Sequence, residues 1–173
     1  MGAQEQGADA TQGRWLVIPR TLCFVTNGND VLLMKRAPNR RVYPNRYNGV
    51  GGHIERDEDP YSSARREIAE ETGLTVSKLW LRAVYNIDAS AQTGIMLFVF
   101  SAASHSREVT ANAEGTLHWI PQDKVTDLDL VEDLPMILPR VLQMRDHEPP
   151  LFVHLSYDVN DLLRLRFAEM NDG

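Results

Sequence analysis

From Gly52 to Leu74 the chain reads GHIERDEDPYSSARREIAEETGL. The second half of that stretch is a helix with both ends marked. Asp59 offers an N-cap carboxylate, and Pro60 suits the first helical position, where a missing N–H costs nothing. Gly73 supplies a left-handed stop. Between them Tyr61, Ala64 and Ile68 fall on one side of a 3.6-residue spiral, the stripe that packs on a sheet. With Glu67 set at zero, Glu71 falls at about +40° and Glu70 at about −60°. Three carboxylates share one arc at the edge of the buried stripe.

Like charges at i, i+3 and i+4 repel, and partial burial raises the penalty and lifts the pKa of at least one. A solvated acidic face, with Arg66 pairing Glu70, is one reading. The flanks favour another. Gly51-Gly52 stands just upstream, where backbone can approach a ligand closely, and Glu58 falls just before the helix. A hard divalent cation, Mg2+ or Mn2+, offsets such repulsion through oxygen ligands.

Outward from the helix the pattern turns strand-like. Leu16–Thr26 and Val31–Arg36 flank the turn Asn27-Gly28-Asn29-Asp30, which predicts a hairpin. Residues 37–48 carry two prolines and read as a loop. Strands are expected near Leu79–Ile87, Gly94–Ala102 and Gly115–Ile120. Leu130–Met144 has helical spacing, with Pro135 tolerable in a first turn and Pro139 predicting a break or kink. Leu151–Tyr157 and Leu162–Phe167 predict a closing hairpin across a turn at Asp158–Asp161. Strands interleaved with two helices predict an α/β (α+β) domain with helices packed on a sheet.

The chain has 173 residues and a formal charge of −6. That length predicts one domain, residues 14–173, behind a flexible tail at 1–13, which lacks branched apolar residues and the pattern of a secretory signal. The acidic balance disfavours a nucleic-acid polymer as partner. The apolar run Ile95–Phe100 is far too short to span a bilayer. One cysteine, Cys23, excludes an internal disulfide and a Cys/His zinc site and reads as a small buried hydrophobe. A cytoplasmic protein is expected, as monomer or homodimer.

Gly52-x5-Glu58-x7-Arg66-Glu67-Ile68-Ala69-Glu70-Glu71-Thr72-Gly73-Leu74 resembles the Nudix signature at every specified position. Coincidence in a chain this long is on the order of one in ten million at ordinary residue frequencies. The resemblance covers 52–74 by motif and about 15–145 by order of elements. It implies a mixed sheet sandwiched between helices, and hydrolysis of nucleoside diphosphates linked to a further group by attack of water on phosphorus. It implies Glu67, Glu70 and Glu71 as metal ligands, with the Gly51 carbonyl as a further one. Arg66 would orient Glu67, and Glu58 would be a ligand or a hydrogen-bonding support. Glu114 is the candidate for an additional carboxylate, as ligand or general base; an ordinary loop acid is its alternative.

Lys35, Arg36, Arg40, Arg41 and Arg46 form an acid-free run that suits steering of a polyphosphate or a merely solvated loop. Arg46-Tyr47-Asn48-Gly49-Val50-Gly51-Gly52 resembles the stretch with which Nudix enzymes that sanitise oxidised purine nucleotides read a base edge through Asn. Asn48 keeps that amide, and Tyr47 replaces the usual Trp. Glu132 and Asp133 resemble an acidic base-binding pair, with a one-residue gap, or serve as acids at a helix N-terminus. Trp119 or Tyr47 could stack on a base, though either also suits the core. The expected reaction is Mg2+-dependent cleavage of a nucleoside triphosphate, such as 8-oxo-dGTP, to monophosphate and pyrophosphate. Cleavage of ADP-ribose or a dinucleoside polyphosphate, and noncatalytic nucleotide sensing, are the alternatives.

Overall fold

Branched and aromatic residues crowd the chain after Trp15 and form a long first strand, β1 (Leu16–Asn27). Gly28 takes a φ of 59° in the tight turn to β2 (Asp30–Arg36), with Asn27 paired to Asp30. There follow β3 (Tyr47–Asn48), α1 (Pro60–Thr72), β4 (Lys78–Ile87), β5 (Thr93–Ala103), β6 (Gly115–Pro121), a 3₁₀ segment at Gln122–Asp127, α2 (Leu134–Gln143), β7 (Leu151–Tyr157) and β8 (Leu163–Phe167). The structure, a computed structural model, describes residues 2–8, 12–89, 92–110 and 113–169. Of the stretch expected as a flexible tail, residues 1 and 9–11 lie outside the described residues; Ala3–Gln6 form a 3₁₀ turn.

All eight strands join one mixed sheet in the order β3-β2-β1-β5-β4-β7-β8, with β6 on the other edge of β2. The β1–β5 and β4–β7 pairs are parallel and the others antiparallel. The C-terminal hairpin therefore extends the sheet.

Side chains alternate across a strand, so each face of β1 feeds a different core. Leu22 and Phe24 pack with Leu134, Ile137, Leu138 and Val141 of α2. Cys23 and Val25 pack with Ala64 and Ile68 of α1. The sheet is thus sandwiched between the two helices, as expected. Among the described residues no helix is long and apolar enough to cross a membrane.

For the second helix, the expected start is corrected and, of the break or kink expected at Pro139, the break is excluded. The helix starts at Leu134, not Leu130. The backbone of 129–131 is committed elsewhere: the Tyr47 amide donates to Asp129 (2.8 Å), and Val131 donates to the Tyr47 carbonyl (3.0 Å). Nor does Pro139 end the helix, which runs on to Gln143. Burial of Ile137, Leu138 and Val141 at 1%, 0% and 1% exposure offsets the lost hydrogen bond.

Candidate active site

Helix α1 is capped as its sequence dictates. Asp59 Oδ1 accepts from the amides of Tyr61 (2.8 Å) and Ser62 (2.9 Å). Gly73 closes the other end at φ 74°, donating to the Ala69 carbonyl. This rigid rod carries Arg66, Glu67, Glu70 and Glu71.

Arg66 holds three of the predicted carboxylates. Its Nε and Nη2 clasp Glu58 at 2.6 and 3.0 Å. Its Nη1 donates to Glu67 and to Glu70, each at 2.9 Å. Nη2 also donates to the His53 carbonyl at 3.2 Å, which ties the loop before the helix to the helix itself. These bonds hold the Glu58 carboxyl below its usual range. Glu67 is raised instead, because burial outweighs Arg66.

Glu71 turns the other way and accepts from the Gly51 amide at 2.9 Å. The glycines are needed here by space. At Gly51 φ is 146°, and a Cβ would lie 2.3 Å from the Thr21 carbonyl oxygen. At Gly52 a Cβ would meet the Glu67 carboxylate at 2.5 Å. The double glycine hugs β1, with Thr21 donating to the Gly52 carbonyl at 2.8 Å. Burial pushes the Glu71 carboxyl up to about 7, reinforced by Glu114 and Glu67 and opposed by Gly51 and Arg36.

Glu114 stands near enough for its charge to raise both Glu67 and Glu71. It accepts from Arg40 at 3.3 Å, and its carbonyl accepts from the Ala37 amide at 2.9 Å. Arg36, partly buried, lies within electrostatic reach of Glu71 and Glu114 and donates to the Val42 carbonyl at 2.9 Å. The basic loop thus borders the carboxylates.

All donors gathered here are hard oxygens, which suits Mg2+ or Mn2+. Among the described residues, no three acidic, His or Cys side chains already converge as a coordination shell. Arg66 draws Glu67 and Glu70 to itself, while Glu71 faces Gly51. A cation here would compete with Arg66 and the Gly51 amide for these oxygens. The raised Glu71 reflects burial first and the charges of Glu114 and Glu67 after it, a penalty that a cation would relieve.

The predicted base-reading residues are less tightly assembled. Asn48 pairs with Met34, and its Oδ1 accepts from the Gly49 amide at 2.9 Å. Glu132 pairs with Arg46 at 3.7 Å. Asp133, 9% exposed, is raised by burial and faces the Tyr85 hydroxyl without closing a well-formed hydrogen bond. The register puts Asn48 on the α1 side with Met34, while Asp133 meets Tyr85 on the α2 side. Trp119 packs against the α1-side core and donates to the Arg107 carbonyl at 3.0 Å, and Tyr47 packs against the α2-side core. Sequence reasoning missed the His53 carbonyl and Arg40 as supports, since neither residue type announces such a role.

A NUDIX domain model matches residues 17–141. The chain is 31% identical over 120 residues to nucleoside triphosphatase NudI of Enterobacter sp. (strain 638), covering 63% of this chain and 85% of that protein. It is 30% identical over 127 residues to the oxidized purine nucleoside triphosphate hydrolase of Danio rerio, covering 72% of this chain and 80% of that one. Its fold matches a solved MutT protein from Bacillus halodurans with a TM-score of 0.75 at 25% identity, over 90% of this chain and all (100%) of that one.

Proposed function

The chain belongs to the Nudix family of hydrolases, and we propose that within it this protein cleaves nucleoside triphosphates to a monophosphate and pyrophosphate, with oxidised purine nucleotides such as 8-oxo-dGTP as preferred substrates. The observation that carries this reading is Glu71, a carboxyl raised to about 7 between Glu67 and Glu114 and held on the Gly51 amide. The names of the relatives, a nucleoside triphosphatase and an oxidized purine nucleoside triphosphate hydrolase, support the substrate class.

In this reading Glu67, Glu70 and Glu71 hold Mg2+, or Mn2+ in its place, with Glu58 and the Gly51 carbonyl as further donors. The cation, when bound, neutralises the polyphosphate and lowers the pKa of an attacking water. Arg66 keeps Glu67 and Glu70 on one side of the helix and so preorganises the charge. Glu114 accepts the proton of the attacking water or adds a ligand. The basic run of Lys35, Arg36, Arg40, Arg41 and Arg46, which borders the acidic cluster at Arg36 and Arg40, would steer the polyphosphate toward it. Asn48 supplies a polar contact to the base, with Glu132 or Asp133 as a second; since Asn48 and Asp133 lie on opposite faces of the sheet, both reach one base only if the Asn48 side chain turns away from Gly49. Action in the cytoplasm, as monomer or homodimer, completes the proposal.

The test is kcat/KM for 8-oxo-dGTP, dGTP, dCTP and ADP-ribose with Mg2+, in wild type and Asn48→Ala. A lost base contact lowers kcat/KM for the purine roughly 5- to 150-fold and spares dCTP. An equal fall for every nucleotide would make Asn48 a support of the adjoining glycine loop. Cleavage of ADP-ribose alone would overturn the triphosphate reading.

A further inference from the structure

The α2 face of the sheet carries polar groups that neither the core nor the acidic cluster accounts for. Arg20, Leu97, Tyr85 and Val153 form one row across β1, β5, β4 and β7. On one side lies the row Leu22, Val99, Ala83, Leu151, where the α2 core is closed: Leu22, Val99 and Ala83 are 8%, 1% and 0% exposed. On the other side lies Ile18, Ile95, Ile87, Leu155, where cover thins toward β1: Leu155 is 4% exposed and Ile18 40%.

At β1, the Arg20 row is thus the margin between a covered core and a more exposed apolar strip. There the Arg20 Nε is buried without a hydrogen-bond partner, and the buried Tyr85 hydroxyl has the Asp133 carboxylate before it in loose geometry. Arg20 Nε bears the desolvation penalty of a buried, unpaired donor. Asp133, nearly buried itself, faces the same Tyr85. An apolar floor with a few convergent polar groups is the make-up of a small-molecule site. The face also adjoins the acidic cluster through β1. Arg20 bridges His53, and the next residue, Thr21, donates to the Gly52 carbonyl.

We propose that Arg20 is a specificity-determining residue of the nucleotide site, donating to a keto oxygen of a base that lies over Leu97 and Ile87, while Asp133, backed by Tyr85, accepts from N–H groups of the same base. The inference rests on the triphosphate reading. The backbones at Arg20 and Tyr85 stand two strand spacings apart, about 10 Å, with Leu97 between them, so a base laid on Leu97 has Arg20 on one flank and Tyr85, which Asp133 faces, on the other. A guanine-type edge carries a keto oxygen beside a ring N–H and an exocyclic amine, so one residue donates and the other accepts. An adenine-type edge turns its amine toward the guanidinium and gives the carboxylate no ring N–H. The substrate class is therefore guanine-type purine nucleotides, oxidised or not.

The test compares wild type, Arg20→Met and Arg20→Lys, with thermal melting as the check on folding. The measurements are kcat/KM for dGTP, dATP and dCTP with Mg2+, and calorimetric binding of dGMP and dAMP without it. The expected result for Arg20→Met is a loss of about 10- to 100-fold in kcat/KM for dGTP and a matching loss in dGMP affinity. Turnover of dATP and dCTP stays within about threefold, and Arg20→Lys recovers part of the dGTP activity. An equal loss for all three nucleotides overturns the proposal and makes Arg20 a phosphate contact. Unchanged selectivity in a folded Arg20→Met overturns it outright. Should wild type hydrolyse no triphosphate, the functional reading fails; discrimination of dGMP from dAMP, and its loss in Arg20→Met, then decides Arg20 separately.

Discussion

The Gly51 amide donates to Glu71 across 2.9 Å, joining the loop beside β1 to the last turn of α1. Gly51 can hold that place because it has no side chain to strike the Thr21 carbonyl. Glu71 is thereby aimed before any substrate arrives, and burial raises its carboxyl to about 7 against the pull of that bond.

Glu71→Gln keeps the acceptor for Gly51 and removes the charge. The fold is expected to survive, with kcat reduced at least about 100-fold, because a carboxylate that holds the cation at the transition state is gone. Near-normal turnover in the folded variant would remove Glu71 from the ligand set.

The raised Glu71 carboxyl also makes a stability prediction. Between the ordinary glutamate pKa and about 7, the native protein binds a proton that the unfolded chain does not. Stability in EDTA therefore falls as pH rises through that window, by about 3 kcal/mol at most. Glu67 is shifted in the same direction. Melting temperatures from pH 5 to pH 8 (about the range that brackets the window) should show a slope that is weaker in Glu71→Gln. Mg2+ should raise the melting temperature more at the alkaline end, where it meets a carboxylate rather than an acid. Parallel pH profiles for the two proteins would contradict the assignment.

Arg66 gathers Glu58, Glu67 and Glu70 in one hand. Arg66→Ala should raise the Mg2+ concentration needed for half-maximal rate about 10- to 100-fold, since the carboxylates lose their common anchor. Arg66→Lys should fail to restore it, because a single ammonium cannot reproduce the clasp on Glu58. An unchanged Mg2+ titration in Arg66→Ala would show that the ligands orient themselves.

The charge of Glu114 reaches both raised carboxylates, and its side chain bonds to Arg40. Glu114→Gln is expected to lower kcat far more than it raises KM. An unaltered kcat would leave Glu114 as an anchor for the basic loop.

What could be read from the sequence was what its neighbours decide. Asp59-Pro60 and Gly73 mark the ends of α1 locally, and the structure places the helix between them. The spacing of Glu67, Glu70 and Glu71 is likewise a property of one helix, so their clustering needed no knowledge of the sheet. Leu130 was misread because its partner is Tyr47, far back in the chain, and that pairing outweighs helical spacing. Arg20 was invisible for the same reason. Amid Ile18, Leu22 and Phe24 it reads as one polar residue in a strand; its meaning comes from Leu97 and Tyr85, which only the strand order sets beside it.

The most direct measurement is the product pair from dGTP, resolved by ion-exchange chromatography with Mg2+ and with EDTA. The account predicts dGMP and pyrophosphate in equal amounts, formed with Mg2+ and abolished by EDTA. Release of dGDP and orthophosphate, or undiminished turnover in EDTA, would contradict it.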